Sequence, residues 1–243
     1  MNLRTIILTN NACFKAGRTI VPQGLMIHST GANNPWLRRY VGPDDGLLGR
    51  NRHNNHWNQD RPGGRQVCVH AFIGRLADGS IATYQTLPWN HRGWHCGRGV
   101  RGSGNDTHIS FELCEDNLMG AVYFKQVYDE AVELCVHLCK LYGLTEQNII
   151  SHSEGHRLGI ASNHADVMHW FVRHAESMDS FRADVRNALT APGYDIYTVV
   201  KGDSLWKIAA ARLGSGARHP EIRALNGLTS EVLFPGQKLK IPK

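Results

Sequence analysis

With 243 residues and 42% hydrophobic content, the chain can bury a core in one domain of about 150 to 200 residues and still carry a small second one. Lys and Arg outnumber Asp and Glu by 27 to 21, and this surplus is dispersed rather than gathered into one basic run, so it permits an acidic partner without specifying one. No run approaches the ~20 apolar residues of a membrane span and no nucleic-acid motif appears, so neither partner is expected.

In chain order, the N-terminus offers one early arginine and a brief apolar run over 5–9, short of the ~7 to 15 apolar residues of a secretory leader. Residues 21–30 read as a buried strand. Residues 31–65, rich in Gly, Asn, Pro and Asp, suit surface loops with short structure. The runs 65–73 and 80–87 flank Ala77-Asp78-Gly79 and predict a hairpin. Residues 107–115 form a further strand, with Ile109, Phe111 and Leu113 on one face and His108, Ser110, Glu112 and Cys114 on the other.

Helical spacing of Val127, Ala131, Leu134, Cys135, Leu138 and Leu141, followed by Gly143, predicts a helix over 123–141. A second helix is expected over 166–175, opened by Asp166. Residues 178–196 read as a helix tail running into a linker, and a new small unit begins at Tyr197. Strands followed by helices in this order imply an α/β domain around a mixed sheet flanked by helices. The six cysteines (Cys13, Cys68, Cys96, Cys114, Cys135 and Cys139) show no CxxC pair and lie mostly in apolar stretches. Reduced or buried thiols are the expectation.

A histidine beside a strand is ordinarily structural or exposed, and the chain has 14. His53, His56, His70, His91, His156 and His169 are read that way. Three separated places nevertheless put a metal-competent group at the edge of a regular element. His28 ends an apolar strand, His152 follows Asn148-Ile149-Ile150, and Asp166 follows His164 by two. Two imidazoles and one carboxylate, with a fourth position open to water, meet the requirement of a catalytic zinc.

The segments Leu25-Met26-Ile27-His28-Ser29-Thr30, Trp94-His95-Cys96-Gly97, Asn105-Asp106-Thr107-His108-Ile109-Ser110-Phe111-Glu112-Leu113, and Ile150-Ser151-His152 through Asn163-His164-Ala165-Asp166 resemble the type 2 N-acetylmuramoyl-L-alanine amidases. That family includes phage endolysins and the peptidoglycan recognition proteins, and the likeness covers residues 20–175. It implies that His28, His152 and Asp166 hold Zn2+ and that Glu112 is the general base. His164 stands where relatives often carry Lys, as a cation whose charge depends on pH. Some phage relatives use a Tyr on an earlier strand, where this chain reads Val69-His70-Ala71. His95 is a candidate for the substrate groove.

Residues 197–243 resemble a LysM repeat, carried by Tyr197-Thr198-Val199, Lys201-Gly202-Asp203-Ser204-Leu205-Trp206, Leu225-Asn226-Gly227-Leu228 and Pro235-Gly236-Gln237-Lys238-Leu239. The likeness implies a strand, helix, helix, strand order. It also implies a groove for N-acetylglucosamine chains at Gly202, Asp203, Ser204 and Leu205, facing residues 233–234. Asp203 or Ser204 is expected to cap the first helix, and Trp206 to fill the small core.

The resulting expectation is a catalytic domain over 1–177, a linker over 178–196 and a LysM domain over 197–243. It would be a monomeric zinc hydrolase cutting the bond between N-acetylmuramic acid and L-alanine in bacterial peptidoglycan. Its partners would be the stem peptide and glycan chains of the wall. Synthesis in the cytoplasm and release by a holin-type or other non-classical route suit a phage or prophage endolysin. A host autolysin and a non-catalytic wall-binding protein are the competing expectations; filled ligand positions argue against the second of these.

Overall fold

The computed structural model describes residues 1–191 and 193–243, which divide into two compact units, Met1–Leu189 and Thr190–Lys243. The first contains β1 (Leu3–Thr5), α1 (Ala12–Lys15), β2 (Gly24–Ser29), β3 (Ala71–Arg75), β4 (Ile81–Gln85), β5 (His108–Leu113), α2 (Ala121–Tyr142), β6 (Ile149–Ser151), α3 (His152–Arg157), α4 (Met168–Phe171) and α5 (Met178–Thr190).

The six strands form one mixed sheet in the order β1-β4-β3-β5-β2-β6. Only the β3–β4 hairpin is antiparallel; the other four pairings are parallel. Parallel strands need both faces covered, and β2, between β5 and β6, is buried along its whole length. The expected α/β architecture around a mixed central sheet is therefore present.

The two faces are covered by different means. On one, the α2 stripe of Val127, Ala131, Leu134 and Leu138 packs on Leu25, Ile27, Ile109, Phe111 and Leu113. The helix ends where Gly143 turns left-handed at φ 65° and its N–H bonds the Cys139 carbonyl, a conformation that glycine adopts without steric cost. The other face is covered by the long segment 31–65, through Leu37, Tyr40, Val41 and Leu48. Tyr40 stacks on Phe72 at 5.1 Å, and Trp57 meets the same ring edge-on at 5.0 Å. A polar stretch thus roofs a sheet with a few well-spaced large side chains.

Two expectations about helices are corrected. Residues 178–190 are not linker but α5, whose Met178, Phe181 and Val185 join the main core. Arg182 fastens the helix to the unit, donating to the Ile149 carbonyl at 3.0 Å and to both Glu154 carboxylate oxygens. The helix expected over 166–175 begins only at Met168 and passes into a 3-10 turn at Val172. Asp166 does not cap it, because its carboxylate faces His28, His152 and His164 instead.

The second unit runs β7 (Tyr194–Thr198), α6 (Leu205–Leu213), α7 (His219–Leu225) and β8 (Lys238–Pro242), with β7 and β8 antiparallel. Its core is Val199, Leu205, Ile208, Ala209, Ile222, Leu239 and Ile241. Ser204 caps α6 by accepting from the Lys207 N–H, while Asp203 accepts from the Val200 N–H and the Tyr197 hydroxyl. Trp206 departs from expectation: it is 57% exposed. A methyl group at Gly216 would lie 2.3 Å from its indole, so the ring lies on the backbone of the turn before α7 rather than in the core.

Candidate metal centre

The parallel strands β2, β5 and β6 bring their carboxyl ends to one edge of the sheet, the place where such sheets ordinarily carry ligands. His28 lies near the end of β2, directly opposite Glu112 of β5 in the ladder. From β6 the chain passes straight into α3, so that His152 occupies the first position of that helix behind a Ser151–Glu154 capping box. The loop before α4 supplies Asp166, anchored where the Ser153 N–H donates to its carbonyl at 3.4 Å.

These three residues are at least 95% buried, and they converge. His28 Nδ1 stands 3.0 Å from Asp166 Oδ2 and 3.2 Å from His152 Nδ1, and His152 Nδ1 stands 3.5 Å from Asp166 Oδ1. Zinc bonds of about 2.0–2.1 Å imply ligand atoms about 3.3 Å apart at the corners of a tetrahedron. The triangle therefore fits a metal ion whose fourth position faces the cleft.

The outer nitrogens are also placed. With Nδ1 of each histidine turned inward, His28 Nε2–H donates to His95 Nδ1 at 2.9 Å, and His152 Nε2–H donates to Ser162 Oγ at 3.3 Å. The Ser162 hydroxyl passes on to the Cys96 carbonyl at 3.2 Å. Such outer partners fix the ring orientation and tautomer of metal-binding histidines.

Charge follows geometry. Burial pushes the His28 imidazole below its ordinary pKa despite the pull of Asp166, which favours the neutral form that binds metal. Burial alone would raise the Asp166 carboxyl, but hydrogen bonds and charge from His152 and His28 outweigh it and hold it well below the usual carboxylate range. Glu112 goes the other way. Burial, then the charges of Asp166 and Glu115, raise its carboxyl well above the ordinary value.

A cleft of about 260 Å³ opens over the centre, lined by His28, His95, Glu112, His152, His164 and Asp166, with Trp57, Arg65, Trp94 and Ser162 around them. Three buried polar atoms there, Glu112 Oε2, His95 Nε2 and Ser29 Oγ, have no hydrogen-bond partner among the described residues. Buried polar groups are ordinarily paired, so all three are available to a bound molecule. His164, largely exposed, gives Nδ1 to Asp166 Oδ1 and stacks on His152 with ring centres 5.2 Å apart.

All five expected metal and catalytic residues thus meet in one place, joined by His95. In the second unit, Gly202, Asp203 and Ser204 form the turn before α6, whereas the Leu205 side chain is buried in the core. Sequence reasoning missed Ser162, Trp57 and Arg65. No periodic pattern marks these loop positions, and only the fold brings them to the cleft.

Comparison with known proteins identifies the family. Residues 17–169 match the family model described as N-acetylmuramoyl-L-alanine amidase. The chain belongs to that amidase family. Residues 197–242 match the LysM domain model, so the amidase domain is followed by a LysM domain. The N-acetylmuramoyl-L-alanine amidase XlyA of Bacillus subtilis (strain 168) is 30% identical over 133 residues, covering 53% of this chain and 37% of the relative. The N-acetylmuramoyl-L-alanine amidase sle1 of Staphylococcus aureus (strain MRSA252) is 30% identical over 150 residues, covering 58% and 40%.

The chain therefore spans about two fifths of the length of these curated relatives. Among solved structures, the catalytic domain of XlyA is 20% identical with a TM-score of 0.51, covering 76% of this chain and 99% of that one. PlyL is 18% identical with a TM-score of 0.52, covering 76% and 96%. These two likenesses establish the amidase fold.

Proposed function

We propose that this chain hydrolyses the amide bond between N-acetylmuramic acid and L-alanine in bacterial peptidoglycan, using zinc held by His28, His152 and Asp166. The observation that carries the reading is the buried triangle of those three groups, with its open side facing Glu112 across the cleft. Two imidazoles and one carboxylate form a donor set suited to zinc. When bound there, zinc supplies Lewis-acid polarisation of the scissile carbonyl and activation of water near neutral pH.

The chain's own residues supply the rest. Glu112, with a raised proton affinity and an unpartnered oxygen, takes a proton from the attacking water and passes it to the departing alanine nitrogen. His164, with Nδ1 engaged by Asp166, in its doubly protonated form donates from Nε2 to the carbonyl oxygen as that atom gains charge, a donor role typically worth ~2.7 to 4 kcal/mol in acyl transfer. His95 holds His28 through one nitrogen and offers the other to substrate.

The LysM domain is the proposed glycan-binding module, through the turn Gly202 to Ser204 and the exposed Phe234. Linking it to the amidase domain raises the local concentration of wall around the active site.

Incubating purified protein with isolated peptidoglycan, while following new alanine amino termini and new reducing sugar ends, tests the bond assignment. Alanine termini alone are expected; reducing ends would make the protein a glycosidase. For the biological setting we propose lysis from within, as by a phage or prophage endolysin. Cells producing the protein should stay intact until their membrane is permeabilised, whereas lysis without permeabilisation would point to an autolysin.

A further inference from the structure

The segment 31–65 that roofs the sheet also forms a second cleft, of about 550 Å³, whose lining includes Arg38, Arg39, Arg50 and Arg52. No carboxylate lines it. Among the described residues none of the four guanidiniums forms an ion pair, whereas Arg18, Arg61, Arg92, Arg157, Arg182, Arg218 and Arg223 each do. The acids of the same segment are engaged elsewhere. Asp44 accepts from the Gly46 and Gly49 N–H groups, Asp45 from the Leu47 and Leu48 N–H groups and the Tyr84 hydroxyl, and Asp60 pairs with Lys15 and Arg61.

The walls of this cleft are built. Arg39 Nη1 donates to the Asn55 carbonyl at 2.5 Å, and Asn51 Nδ2 donates to the Arg38 carbonyl at 2.8 Å and to Asn55 Oδ1 at 3.0 Å. Arg38 lies over the Trp36 ring at 4.3 Å. Four permanently charged guanidiniums held together without counter-charges repel one another, and an anion with several oxygens relieves that repulsion through paired N–H donors.

We propose that this cleft binds a phosphodiester-linked anionic polymer, attached to the bacterial wall, and so holds the amidase domain on its substrate. Closely spaced repeating charges match four arginines better than the single carboxylates of a peptide. Nucleic acid carries the same charge, but grooves that hold single strands add aromatic side chains on which successive bases stack. Here the only indole in the lining is already taken by Arg38, with the Arg75 guanidinium 6.0 Å from the same ring. The wall as the source of the polymer rests on the amidase reading; the oxyanion chemistry does not.

The test uses the full chain and the double variant Arg50→Gln/Arg52→Gln, both exposed positions outside the active site, with thermal unfolding as the check that the fold is kept. Binding of soluble poly(glycerol phosphate) is expected for the wild type and to weaken at least tenfold in the variant. The slope of log affinity against log salt should fall by about one to two units. On walls stripped of phosphodiester polymer by hydrofluoric acid, wild type and variant should adsorb and cleave alike. Equal polymer binding by both proteins, or none by the wild type, overturns the proposal, as does preferential binding of single-stranded DNA through the same arginines. Failure of the wild type to cleave stripped walls would count against the amidase reading alone, because the polymer-binding result does not depend on turnover.

Discussion

The amidase domain and the LysM domain handle their polar side chains in opposite ways. In the first, His28, His152 and Asp166 are almost wholly removed from water, and the strand ends hold them 3.0 to 3.5 Å apart. In the second, Asp203 and Ser204 are used up on backbone N–H groups, and two large apolar side chains are left outside, Trp206 at 57% and Phe234 at 68% exposure. Bond cleavage needs charged groups desolvated and fixed before substrate arrives, whereas grasping a neutral sugar chain needs only a shaped, accessible surface. The contrast predicts that changes in the first domain act on turnover and changes in the second on adsorption.

The largest effect is expected from Asp166→Ala, which removes one corner of the metal triangle and should lower both metal retention and turnover, the latter by roughly 10³-fold or more. Glu112→Gln separates the two properties. Metal content should stay at the wild-type level while kcat falls by ~10²- to 10⁴-fold, and unchanged turnover would move the base to another residue.

Next comes the boundary between the domains. Phe181→Ala should cost the amidase domain ~3 to 5 kcal/mol of stability by thermal or denaturant unfolding, because that ring lies in the main core; a linker residue would cost almost nothing. Ending the chain after Thr190 should spare cleavage of a small soluble muropeptide and reduce wall adsorption on the order of 10²-fold. An inactive truncated protein would contradict the division of labour.

A smaller, graded effect comes from His70. Its ring accepts from the Ser110 N–H at 3.0 Å and donates to the His91 carbonyl at 2.7 Å. Burial lowers its pKa to about 4, against an ordinary value of 6.5. Between those values the unfolded chain binds the extra proton, so this contribution is complete above pH 6.5 and is lost as pH falls toward 4, at up to ~1.4 kcal/mol per unit. Melting temperatures from pH 7 to pH 5 should fall less steeply in His70→Gln than in the wild type, although that variant starts lower.

Much of this was legible in the sequence, for identifiable reasons. The 3.6-residue stripe of α2 and the alternation along β5 report burial on one face, and both elements lie where the pattern puts them. The sequence reads as a helix tail running into a linker where α5 extends to Thr190, because Asp179, Arg182, Asp184 and Arg186 surround the narrow apolar stripe of Met178, Phe181 and Val185. The exposure of Trp206 depends on Gly216, ten residues away, having no side chain. The metal residues are 124 to 138 positions apart from His28 in the chain. No local pattern relates them, so their grouping came from family likeness. The arginine cleft was invisible for the same reason: its residues look like a dispersed surplus of charge until segment 31–65 folds back on itself.

The most direct test of the central claim is to measure zinc content and alanine-terminus release on one preparation, before and after chelation and after zinc is restored. The account predicts one zinc per chain, loss of release when it is removed, recovery when it is returned, and neither zinc nor release in Asp166→Ala. Full release of alanine termini from metal-free protein would contradict it.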